Sequence, residues 1–126
     1  MEKTIIIDGR EVKFKATAAT IRLYRKMIGR DFLVDMQSLQ DSIHEVVGSE
    51  TPDKPEPKYL SAAALQLFED IAFVMAKQAE PGIPDNADDW LDTFNIFSIY
   101  EVLPQVIELW ELNTLTTSES KKKITE

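Results

Sequence analysis

"KTIIIDGREVKFK", residues 3–15, contains two β-rich runs separated by a turn. Asp8-Gly9 stands between residues 4–7 and 10–15, and this pair suits the positive φ angles of a two-residue hairpin turn. In the second run Val12 and Phe14 alternate with Glu11, Lys13 and Lys15, so one face is apolar and the other charged. A lone hairpin is marginal in water. No other run reads as a strand, so this one must lie on helices or pair with another chain. The expected fold is therefore mainly α: an N-terminal β-hairpin followed by about five helices.

Helical periods fill most of the remaining chain. In "ATAATIRLYRKMIGRD", Thr17 or Thr20 can cap a helix and Gly29 can end it in a left-handed conformation. Leu23, Met27 and Tyr24 are expected on its inner side, with Arg22, Arg25 and Lys26 opposite. Phe32, Met36, Leu39, Ile43 and Val46 recur at helical spacing, which predicts a second helix over 31–47. Residues 48–58, "GSETPDKPEPK", carry three prolines and no large apolar side chain, as a surface loop does. A third helix is predicted over 60–79, capped by Ser61, with Leu60, Ala64, Leu67, Ile71 and Val74 along its stripe and Phe68 and Met75 widening it. Asp88 and Asp89 suit the first turn of a short fourth helix holding Trp90, Leu91 and Phe94. Ser98 and Glu101 have capping-box spacing, so a fifth helix should start near Ile99. Pro104 should kink it, and it should end near Asn113. The expected organisation is one globular domain over 1–113, with the hairpin at 3–15 and helices within 18–112, and a disordered tail over 114–126.

Composition narrows the function classes. The chain has 126 residues, 44% of them hydrophobic, no cysteine and a net charge of -8. That size fits one domain, and its apolar content can support a core. Without cysteine there is no disulfide framework, zinc-thiolate site or cysteine nucleophile. No apolar run approaches the ~18 residues that a membrane span needs, and no secretion signal is seen, so a soluble protein working inside a cell is expected. Residues 1–30 carry +5 and the remaining 96 carry -13. The acidic bulk opposes binding to nucleic acid phosphates, whereas the polarity suits contact between copies.

Chemistry-bearing motifs are sparse. "DDWLD" (Asp88, Asp89, Asp92) matches the D-D-x-x-D metal motif formally, but a dipole-complementing helix start explains it with less machinery. His44 is the single histidine and lacks ligand neighbours in sequence. No phosphate-binding loop, dinucleotide fingerprint or nucleophile elbow is present. Neither an enzyme nor a cofactor is expected. The basic set Arg22, Arg25, Lys26 and Arg30 is the candidate self-association face. Within "FNIFSIYEVLPQVIELWELN", residues 94–113, Phe94, Val102 and Val106 are expected to anchor to the core. Trp90, Phe97, Tyr100 and Trp110 are the candidate partner-binding residues, as a groove for an amphipathic helix.

Taken in order, "TIIIDGREVKFKATAATIRLYRKMIGRD", "FEDIAFVMAKQAEPGIPDNADDWLDTF" and "FSIYEVLPQVIELWELN" with its lysine tail resemble the tail assembly chaperones of long-tailed (siphovirus-type) phages of Gram-positive bacteria. The resemblance spans nearly the whole chain, although Ile21 stands where such proteins often have Pro. It implies a non-enzymatic role in the host cytoplasm: coating the helical, aggregation-prone tape measure protein and helping to recruit the major tail tube protein. It also implies absence from the mature virion, and in many families a longer form made by programmed frameshifting. "KKKI", residues 121–124, is compatible with an adenine-rich slippery site. The alternatives are a small acidic phage regulator, against which the scattered carboxylates count, and a structural tail completion protein. The expected partners are the tape measure protein, the tube protein and further copies of the chain, without nucleic acid, membrane or metal.

Overall fold

The computed structural model describes residues 1–48 and 59–111, and of 45–48 the backbone alone. Of the expected loop at 48–58, Gly48 is instead the last residue of a helix, and 49–58, the tail at 114–126 with its "KKKI", and the Val46 side chain lie outside the described residues. β1 (Glu2–Ile7) and β2 (Arg10–Lys15) form an antiparallel hairpin with Ile7 opposite Arg10 and Ile5 opposite Val12. Asp8 and Gly9 have φ of 54° and 73°, the double positive-φ turn that joins strands with right-handed twist. Ile5, Ile7 and Phe14 are buried while Ile6 points outward, so the period-two pattern sets which face meets the helices.

Four helices follow at α1 (Ala19–Ile28), α2 (Phe32–Gly48), α3 (Ala62–Ala79) and α4 (Ala87–Asp92), and α5 occupies residues 99–111. The protein is mainly α, as its periodicity predicts. α3 is the axis of the fold: it touches β2, α1, α2 and α4. Every residue from Ile71 to Ala76 is buried, a run that one apolar stripe cannot produce and that marks a helix enclosed on most sides. Ser61 caps it, its hydroxyl accepting from the Ala64 N–H at 3.1 Å. The hairpin lies across α3, which resolves how its apolar face is covered.

Several expectations need correction. α1 turns Tyr24 and Thr20 inward, whereas Leu23 is half-buried and Met27 is 37% exposed. A polar clamp decides this orientation: Gln78 donates to Thr17 Oγ1 at 2.6 Å and accepts from Thr20 Oγ1 at 2.6 Å. The N-cap position of α1 falls on Ala18, with no side-chain cap; the Thr17 hydroxyl instead accepts from the Ala19 N–H at 3.2 Å. Gly29 ends α1 in the left-handed region as expected, at φ 84°. Leu60 precedes α3 and Leu67 is only half-buried, because the stripe's centre runs through Ala64, Phe68 and Ile71. Phe94 follows α4 rather than belonging to it. At the start of α5 the Ser98 backbone carbonyl accepts from the Glu101 and Val102 N–H groups, each at 3.0 Å. α5 continues through Pro104, whose missing N–H leaves the Tyr100 carbonyl without its usual donor.

Candidate partner-binding surface

The aromatic residues of α4 and α5 divide into a core group and a surface group. Trp90 is 2% exposed and packs against Phe14 (6.4 Å between ring centroids), Phe73 (5.9 Å), Phe94 (5.4 Å) and Phe97 (5.7 Å). Hairpin, α3 and α4 meet at this ring, so Trp90 is a core residue that a docking partner does not reach. Arg10 closes the cluster from outside, its guanidinium 4.1 Å from the Phe94 ring centre. Trp110, half-buried, stacks edgewise on Phe32 at 4.7 Å and seals α5 to α2. Phe94, Val102 and Val106 are buried, in agreement with their expected anchoring role.

Two of the four candidate groove residues reach a common surface. Phe97 is half-buried, with its inner side against Phe68 at 6.2 Å; Tyr100 is 47% exposed. With Ser98, Ile99 and Glu101 they line an open hollow of about 390 Å³ at the start of α5. Tyr59, 68% exposed, leans on Tyr100 at 5.7 Å, and Ile96 is 64% exposed in the α4–α5 connection. Neither Tyr59 nor Ile96 carries a periodic signal in the sequence, since both lie between elements. Tyr100 also has a structural duty: its hydroxyl accepts from the Leu60 N–H at 3.1 Å, ahead of α3.

The basic set is likewise split. Arg22, Arg25 and Lys26 lie exposed on the outer side of α1. Arg30 is engaged within the molecule: its Nε donates to Asp35 Oδ2 at 2.8 Å, and its Nη2 to Asp70 Oδ2 at 2.6 Å and to the Tyr24 hydroxyl at 3.2 Å. These bonds, led by the one to Asp35, raise the Arg30 pKa still further. Tyr24 is fully buried, and burial first, then its hydrogen bond to Asp35, push its pKa up. Asp35 is 8% exposed and was hidden in the sequence among the polar positions of α2.

Asp88 and Asp89 sit exposed in the first turn of α4, where the Asn86 side chain accepts from the Asp89 N–H at 2.8 Å. Among the described residues no three His, Cys, Asp or Glu side chains converge to hold a metal, and His44 is exposed. No described helix is long and apolar enough to cross a membrane. In comparisons with protein families, curated proteins and solved structures, nothing matches this chain.

Proposed function

We propose that this protein is a tail assembly chaperone of a long-tailed phage, a non-enzymatic factor that binds and solubilises the tape measure protein in the host cytoplasm. In this reading it also helps to bring the major tail tube protein to the assembling tail, and is left behind when the particle matures. The observation that carries the reading is the hollow lined by Phe97 and Tyr100, with Tyr59 against Tyr100 and Ile96 exposed one residue before Phe97. An amphipathic client helix loses water from its apolar stripe when seated in such a hollow. The net charge of -8 keeps a chaperone with exposed apolar surface dispersed. Self-association through Arg22, Arg25 and Lys26 belongs to the same reading, since coating a long client takes many copies.

Co-expression with the tape measure protein of the same phage tests it. The tape measure protein should be soluble and co-purify when this chain is present, and aggregate when it is absent. Mass spectrometry of purified particles should not find the chain. Its presence there at a fixed copy number would make it a structural tail completion protein instead.

A further inference from the structure

Residues 78–111 carry eight carboxylates and no lysine or arginine. Three of these acids, Glu101, Glu108 and Glu111, are exposed on α5 together with Pro104. Spacings of three and four residues place all four on one face of the helix. This acidic stripe runs from the mouth of the hollow, which Glu101 lines, along about 15 Å of α5. The only cation that the described ion pairs bring to it is Lys3, 3.7 Å from Glu108, in a solvent-exposed pair of the kind that contributes little. An apolar hollow thus continues directly into a negative rail that, among the described residues, only Lys3 meets.

We propose that the hollow and the outer face of α5 form one docking surface for a cationic amphipathic helix of about three turns. Its apolar side chains fill the hollow lined by Phe97, Ile99 and Tyr100 and cover the neighbouring Ile96, and its lysines or arginines follow Glu101, Glu108 and Glu111. The inference rests on the chaperone reading only for the identity of the partner, and it specifies the client segment by chemistry: apolar at one end and basic along one side. Charge alone would also admit the basic outer side of α1 from a second copy. That side offers Arg22, Arg25 and Lys26 but, of large apolar side chains, only Met27, so it would leave Tyr59, Ile96 and Tyr100 uncovered.

The test uses the full chain and three synthetic helical peptides of equal length. One has a leucine stripe flanked by lysines, the second replaces those lysines with glutamates, and the third keeps the lysines but replaces the leucines with serines. The first should bind, with affinity falling as salt rises, and the other two should bind at least about tenfold more weakly. Ile96→Ser should weaken the first peptide by about tenfold. Glu101→Lys with Glu111→Lys should do the same and flatten the salt dependence. Melting checks that each variant is folded. Equal binding of the glutamate peptide, or unchanged binding to both variants, overturns the proposal. So does loss of self-association in these variants by sedimentation, which would make a second copy the occupant. If the tape measure protein co-purifies equally with wild type and both variants, the chaperone reading stands and this surface does not. If the lysine peptide binds as described but the tape measure protein never co-purifies, the surface stands and the chaperone reading does not.

Discussion

The hydroxyl of Tyr24 donates to Asp35 Oδ2 over 2.5 Å, joining α1 to α2 inside the core. The same oxygen accepts from Arg30, which reaches on to Asp70 of α3, so three helices share one polar junction. Tyr24→Phe keeps the ring and leaves Asp35 paired with Arg30; it should cost about 1 kcal/mol. Asp35→Ala strands the phenol and withdraws one carboxylate from the guanidinium, at about 2–3 kcal/mol. Urea unfolding of both variants checks the order.

Alkaline pH should weaken this junction. Burial and the bond to Asp35 hold the Tyr24 pKa above its ordinary 10, so the folded protein keeps a proton that the unfolded chain releases. Where the unfolded chain binds fewer protons, stability falls as pH rises; here that begins at about pH 10. Below it the contribution is fully present. Tyr24→Phe has no proton to lose, so its stability should decline less steeply than wild type between about pH 9 and 11.

Glu69 predicts a gain in stability. Its pKa is raised, by burial first and then by Asp70 and Asp88, so the ionised form is disfavoured in the folded state. The favourable contribution exists below the ordinary carboxylate range and is lost as pH rises through the folded pKa. Glu69→Gln should therefore melt higher than wild type at pH 7, and the two curves should converge near pH 3.5, roughly a unit below the ordinary Glu value.

Core and surface aromatics should separate cleanly. Trp90→Ala opens a hole among four phenylalanine rings and should cost about 3–5 kcal/mol. Ile96→Ser, at a 64% exposed position, should change stability by about 0.5 kcal/mol or less. Calorimetry on the two proteins distinguishes them.

Charge reversal at Arg22, Arg25 and Lys26 together should shift sedimentation toward smaller species while melting is preserved. Arg30→Glu should instead lower the melting temperature, because it places a third carboxylate beside Asp35 and Asp70.

Local chemistry was what the sequence displayed best. Asp8-Gly9 fixes the hairpin by its own φ preferences, and Ser61 marks the start of α3 because its hydroxyl acts three residues ahead. The inward face of α1 was legible at Tyr24 but not at Thr20, which Gln78, 58 residues on in the chain, holds inside. Trp90 is a candidate groove residue by its place in a dense aromatic set; it is covered because Phe14 and Phe73 come to it from other elements. Of the candidate groove, Tyr100 and Phe97 reach one hollow, but the exposed Tyr59, against Tyr100, and Ile96, next to Phe97 in the chain, lie in segments between helices, where periodicity carries no information.

The two tryptophans lie in separate aromatic groups, and this makes the protein its own spectrometer. Trp90 is surrounded by rings from the hairpin, α3 and the α4–α5 connection, while Trp110 meets Phe32 on α2, which in turn meets Tyr24 at 5.3 Å. With Trp110→Phe, the remaining indole emission reports solvent entry where the hairpin rests on the helices. With Trp90→Phe, it reports the seam between α2 and α5 beside the acidic rail. Coincident denaturation curves from the pair would mean that both ends melt as one cooperative unit. An earlier change at Trp110 would mean that α5 loosens first, and that a client would meet a surface already partly free to adjust.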